Sequence, residues 1–338
     1  MTEYADGEPM SAVWCRSRRV EGLYLLTLVV VALAAFQGSV DLGWAYDDLD
    51  YLDNARKAAQ TPAYVFSVDK PWAARPVVHA YFALLYPFLG DDARGYHVFN
   101  VALHVFNSFL CCLILRRFGV DQVAAALAGG LFLLNVSHFR AIYWVSGVSL
   151  LLGTLFGLLA TTAALRTKTG EGSRWLPVCM FLMATLAHEG MAVFAVPVVW
   201  VAWAGRGVRR FVLESMPYVG VVAVILVLST VIYPTALNQE SGYGVGWHML
   251  HNEAAFITRL FLGAHWDIWL PGAPPGLEVA GGLVVIAALC ATTLRHRALL
   301  PAVLWLVAAP LPYVLWPHGT AVSRYYYAPS TAIAAITA

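Results

Sequence analysis

Residues 175–205 read WLPVCMFLMATLAHEGMAVFAVPVVWVAWAG, an apolar run interrupted at its middle by one ionisable pair, His188-Glu189. As a single long helix the run buries that pair at mid-membrane. As two short helices meeting at His188-Glu189, each leg falls short of the roughly 20 residues that cross a bilayer. The pair then lies near a surface or a wet cavity. The choice sets the side on which every later segment emerges.

The surrounding chain establishes that a bilayer is the relevant solvent. Of 338 residues, 60% are hydrophobic and only 12% charged, against about 25% charged in soluble domains, and mean hydropathy is +0.67. The reading is an all-α polytopic membrane protein. Expected spans lie at 22–40, 97–115, 122–137, 143–165, 211–233, 277–294 and 299–316. A last apolar piece, 325–338, stops short of a full span, as though the chain ends inside a helix. The run at 77–89 is short and broken by Pro87, so a helix lying on the membrane surface is expected there. The first run follows Arg16, Arg18 and Arg19 as a signal peptide would. At 19 residues it exceeds the roughly 7–15 of a signal core, so an uncleaved span is preferred.

Basic residues concentrate on the cytoplasmic side of membrane proteins. With the two-helix reading of 175–205, one side collects Arg16, Arg18, Arg19, Arg116, Arg117, Arg166, Lys168, Arg174, Arg206, Arg209, Arg210, Arg295 and Arg297. That is 13 of 21 basic residues against seven acids, leaving 8 basic and 13 acidic residues opposite. The single-helix reading sends Arg206, Arg209 and Arg210 to the wrong face. A hairpin with a cytoplasmic N-terminus follows, and with it about ten transmembrane helices in one domain, 1–338. Its first extracytoplasmic loop is 41–96 and its second is 234–276, with a surface helix at 247–263 and Trp266 and Trp269 at the interface. The net charge of +1 and the absence of a basic run give no reason to expect nucleic acid. The five cysteines form neither a disulfide framework nor a C-x-x-C metal pattern.

Polar investment then gathers on the outer face. Asp47-Asp48 sits between aromatic residues just past the first span. Helix capping accounts for such a pair, and so does a general base that takes a proton from an attacking hydroxyl. Neighbours on a helix point apart, so one of the two at most faces a reacting atom. His188-Glu189 either caps a helix hairpin or brings a histidinium to a phosphate. Arg324, before Tyr325-Tyr326-Tyr327, is a fixed cation suited to phosphate, with Arg75 and Arg140 as weaker versions. Glu189 and Tyr325 are supporting residues. The glycines at 242, 244 and 246 follow no strand and do not read as a nucleotide loop. Gly153 and Gly157 have the spacing of a close helix-packing face.

In order, Tyr46-Asp47-Asp48, Arg75-Pro76 with Asn100-Val101-Ala102-Leu103-His104 running to Leu115-Arg116-Arg117, Ser137-His138 with residues 141–147, Ala187-His188-Glu189, and residues 323–330 resemble the GT-C fold of integral membrane glycosyltransferases. The likeness is nearest to the protein O-mannosyltransferase-like members, including those with tetratricopeptide repeats. His188 stands where that family usually has lysine, Ser323 where it has an acid, and Asn135 where it tends to have histidine; no repeat domain follows. The resemblance implies a GT-C-like bundle with extracytoplasmic juxtamembrane helices. It also implies a polyprenyl-phosphate sugar donor, mannose among the candidates, and a protein, lipid or glycan acceptor. The reaction would invert the anomeric centre, without metal or cofactor. Asp47 or Asp48 would then be the base, and Arg324, His188, Arg75 and Arg140 would hold the donor phosphate. The competing reading is a transporter or flippase for an anionic lipid or solute. Against it, the acids concentrate in one outer loop and do not thread several spans.

Overall fold

The structure is a computed structural model that describes residues 10–71, 74–203, 207–228, 246–262, 274–295, 299–314 and 323–337. Among these residues there is no β-strand, and every regular element is a helix. In order, the α-helices are α1 (Met10–Phe36), α2 (Asp47–Gln60), α3 (Pro76–Leu89), α4 (Ala93–Arg117), α5 (Gln122–Leu133), α6 (Phe139–Tyr143), α7 (Val148–Lys168), α8 (Trp175–Ala187) and α9 (Ala195–Trp203). They continue as α10 (Val208–Val227), α11 (His248–Leu262), α12 (Pro275–Arg295), α13 (Leu300–Ala308), α14 (Leu311–Val314) and α15 (Ser330–Thr337). Among the described residues, five helical segments are long and apolar enough to cross a membrane: Arg19–Ser39, Ala93–Arg117, Val145–Lys168, Val208–Val227 and Gly276–Arg295. A bent pair, Gln122–Leu133 with Val136–Tyr143, makes a sixth if counted as one span. This is an all-α membrane protein.

Local chemistry explains where the helices start and stop. Asp92 accepts the Arg94 amide (3.1 Å) to open α4, and Asp121 accepts the Val123 amide (2.8 Å) to open α5. Both are side-chain N-caps satisfying otherwise orphaned donors. Arg116 and Arg117 close α4 where its dipole is negative, and Arg116 also pairs with Glu21 of α1 at 2.9 Å. The ends of α1 and α4 that charge counting assigned to one side therefore meet.

α7 is the central helix, with 72% of its apolar window buried, whereas α1 and α10 keep 11% buried. Its small residues make close packing possible. A Cβ on Gly153 would meet the Met191 side chain at 2.5 Å, and one on Gly157 would run into the Phe194 ring. Both partners come from Glu189–Phe194, a tight 3-10 stretch between α8 and α9. α2 and α3 cover the end of the bundle where α4 and α7 begin. Tyr51 of α2 stacks on Phe82 of α3 (5.0 Å, 8°), and Phe82 in turn on Tyr96 of α4 (5.5 Å).

Several boundaries depart from the sequence reading. The run at 122–137 breaks at Leu134-Asn135, because the Asn135 side chain accepts the Ser137 amide (2.9 Å) and starts a new turn. The run at 299–316 stops after α13 and restarts as α14, since Pro310 has no amide with which to continue the ladder. The helix expected at the surface over 247–263 forms as α11, yet it buries Ala254–Thr258 and Leu260. A side chain at Gly282 of α12 would collide with the Ala254 backbone, so that glycine lets the two helices close. Trp266, Trp269 and the outer part of the 234–276 loop lie outside the described residues. The break at His188 forms as expected, with His188 extended (φ −159°, ψ 126°) between two short helices.

Candidate functional site

α2 begins in a turn held from several directions. The Trp44 indole donates to the Asp91 carbonyl (2.8 Å), and the Trp144 indole donates to the Ala45 carbonyl (3.1 Å). The Ala45 amide donates to Asp48 Oδ2 (2.9 Å), and the Ser146 amide donates to Asp48 Oδ1 (2.7 Å). Asp48 is fully buried, and both its oxygens are taken by backbone donors. Burial pushes its carboxyl up to about 6, against the lowering effect of those two amides. Asp48 thus ties α2 to the turn that precedes α7.

Tyr46 sits inside this turn at φ 45°, ψ −115°, and the Asp48 amide closes back on the Ala45 carbonyl (3.0 Å). That backbone is the first central position of a type II′ turn, where glycine is at home. A tyrosine there carries strain on the order of 1–3 kcal/mol. Its ring is 84% exposed and meets Trp144 edge-on at 5.8 Å. The pinned turn fixes where Asp47 points. Asp47 is half-buried and lies one helical turn before Tyr51, so the two share a face of α2.

Tyr51 leads from Asp47 to the next charges. Its ring packs against His79 (5.1 Å), and its hydroxyl lies in the field of Arg75, Glu189 and Asp47. Arg75 grips Glu189 through two parallel bonds, Nε to Oε2 (3.0 Å) and Nη2 to Oε1 (2.7 Å). This is the two-pronged geometry that makes guanidinium–carboxylate pairs specific. Burial pushes the Glu189 carboxyl up, while Arg75 and His188 pull it down further, so the net shift is below the usual carboxylate range. The Glu189 side chain remains 47% accessible against 15% for Arg75, so the pair opens outward. The Arg75 fork that the sequence reading aimed at a phosphate faces Glu189.

His188 is buried. Its Nδ1 accepts the Gly190 amide (3.0 Å), which caps the following 3-10 turn and leaves the ring proton on Nε2. A proton on Nδ1 would break that cap. The ring lies 6.1 Å from Tyr325 and 6.5 Å from Tyr313. Those two tyrosines stack at 4.3 Å and 18°. Tyr325 also lies in the field of Arg75. Asp47, Arg75, His188, Glu189 and Tyr325 are therefore brought to one place, although their numbers span most of the chain.

Arg140 lies over the Phe139 ring beside it (5.9 Å) on α6, which packs against the Ser323–Tyr326 turn. Arg324 belongs to that turn, and its side chain lies outside the described residues. Sequence reasoning missed Tyr51 and Tyr313 as parts of the site. For Tyr51 a signal existed in its i+4 spacing from Asp47; for Tyr313 there was none.

A second polar cluster lies within the bundle. The Tyr327 hydroxyl donates to His104 Nδ1 (2.8 Å) and accepts from Asn107 Nδ2 (3.1 Å), while His104 Nε2 donates to the Leu133 carbonyl (2.9 Å). His138 Nε2 donates to Ser330 Oγ (2.6 Å), which donates to the Tyr327 carbonyl (2.7 Å). These tautomers follow from the partners. The cluster fastens the 323–330 segment to α4, and His104, Asn107, His138 and Tyr327 are all buried.

The cluster around Arg75 and Glu189 brings together a half-buried carboxylate, a fixed cation neutralised by Glu189, the His188 imidazole and a wall of stacked phenols. No family model matches the chain, and no characterised protein or solved structure matches it significantly.

Proposed function

We propose that this chain is a membrane glycosyltransferase that moves a sugar from a polyprenyl-phosphate donor to an acceptor hydroxyl on a protein, lipid or glycan. The observation that carries the reading is the division of labour in the acid pair. Asp48 gives both oxygens to backbone amides, whereas Asp47 shares the Tyr51 face that leads to Arg75 and Glu189. In this reading Asp47 takes the proton of the acceptor hydroxyl as its oxygen attacks the anomeric carbon. The bond to the phosphate oxygen breaks on the opposite side, and the configuration inverts. Negative charge arriving on the departing phosphate is met by Arg324 and by the His188 imidazole. Placing a base at one end of the displacement and cations at the other balances the charge that moves between them.

The frame for this reading is a GT-C-like bundle of about ten spans, with the N-terminus cytoplasmic and Asp47 on the extracytoplasmic side. The order of motifs that resemble that fold supports it, as do the basic clusters. The test is sugar transfer in proteoliposomes from a panel of labelled polyprenyl-phosphate sugars. Asp47→Asn keeps the shape and removes the base, so a loss of roughly 10²–10⁴-fold in rate is expected. Near wild-type transfer by a correctly inserted Asp47→Asn protein refutes the assignment. Movement of a labelled lipid across the bilayer without transfer to any acceptor points instead to the transporter reading.

A further inference from the structure

Glu253 on α11 is the one acidic residue of the described chain with both carboxylate oxygens buried and no hydrogen-bond partner among the described residues. An unsatisfied buried carboxyl costs several kcal/mol in an apolar setting, so its retention calls for a use. Its surroundings indicate which. One turn further along the same helix face, Phe256 lies parallel to Tyr313 (6.3 Å, 2°). The neighbouring Asn252 side chain donates to the Val314 carbonyl (3.1 Å). Tyr313 is the ring that stacks on Tyr325 and adjoins His188. The face of α11 that carries Glu253 therefore backs onto the aromatic wall of the outer cluster.

Among the described side chains no charge compensates it. On its own helix, which also carries His248 and His251, Arg259 is held by Glu278 of α12, α14 contributes the phenol of Tyr313, and the 323–326 turn contributes Tyr325 and Tyr326 beside Arg324, whose side chain lies outside the described residues. Burial alone pushes the Glu253 carboxyl up to about 8, which keeps it largely protonated at neutral pH. A neutral carboxyl is both a donor and an acceptor. Beside stacked aromatic rings, that suits a sugar, whose hydroxyls need both functions while its C–H faces pack on rings.

We propose that Glu253, with Tyr313 and Tyr325, forms a glycosyl-binding subsite in which the carboxyl hydrogen-bonds the hydroxyls of the bound sugar. This rests on the glycosyltransferase reading but is tested separately from it. A hydrophobic carbodiimide couples to protonated carboxyls in apolar surroundings and needs no turnover. In proteoliposomes, modification at Glu253 located by mass spectrometry is expected in wild type and absent in Glu253→Gln. It should fall as pH rises through about 8. Polyprenyl-phosphate mannose should protect the residue several-fold, and polyprenyl phosphate without a sugar should not. Absence of modification at pH 6, or equal protection by both lipids, overturns the subsite. As a second measurement, Glu253→Leu should weaken donor binding roughly tenfold, the scale of one lost hydrogen bond, and Glu253→Gln less so. Unchanged binding by Glu253→Leu also overturns it. If Asp47→Asn transfers sugar normally while Glu253 is still protected by the glycosyl lipid, the catalytic assignment fails and the subsite stands.

Discussion

At the scale of single residues, the acid pair shows what adjacency in sequence conceals. Either aspartate fits a base or a cap, and periodicity says only that they point apart. What separates them is the Ser146 amide, 98 residues away, and no local pattern announces that partner. The distinction changes how substitutions must be read. In Asp48→Asn the new NH₂ group confronts a backbone N–H, leaving a buried donor unpaired at a cost of about 1–3 kcal/mol. Reduced thermal stability in detergent is the expected result, so lost activity in that variant says nothing about catalysis. Asp47→Asn leaves the Ala45 and Ser146 amides with their acceptor and should unfold near the wild-type temperature. Asp48 also sets a pH dependence. Burial pushes its folded carboxyl up to about 6 from the usual 3.8, so the folded state holds the proton more tightly than the unfolded one. Stability from this group is therefore full below about 3.8, declines as pH rises to about 6 and is level above. Asp48→Asn should flatten that slope in melting curves taken across the window.

At the scale of elements, the apolar runs were legible because span length is a property of the run itself. The breaks were less so. His188 interrupts the 175–205 run as charge counting required, whereas the interruptions at Asn135 and Pro310 depend on one capping bond and one missing amide. The 247–263 segment reads as a surface helix, yet one face of α11 is buried, and the reason lies in Gly282 on a different helix. The Gly153 and Gly157 face was readable as a close-packing surface, but not that Glu189–Phe194 would occupy it. Gly157→Ala should therefore destabilise by about 1–3 kcal/mol through overpacking against Phe194. Pairing it with Phe194→Leu should recover much of the loss, which a thermal-shift series of the two single variants and the double variant would show. A purely additive loss in the double variant would mean the two side chains do not meet.

At the scale of the whole molecule, orientation rests on the arginine clusters and makes a direct prediction. A cysteine replacing Gln60, the exposed last residue of α2, should react with an impermeant maleimide added from outside intact cells. Reaction only after permeabilisation would invert the topology and place Asp47 on the wrong side. The His104–Tyr327 bond makes another. Tyr327→Phe strands His104 Nδ1 and removes the acceptor for Asn107, so a loss of about 1–3 kcal/mol in thermal stability is expected. That bond also joins positions 223 residues apart, a distance that becomes a delay on the ribosome. At roughly 5–20 residues per second, α4 enters the bilayer about 10–45 s before Tyr327 is synthesised. For that interval the nascent chain carries an imidazole whose eventual partner does not yet exist. α4 therefore completes its polar contacts only when the 323–330 segment arrives.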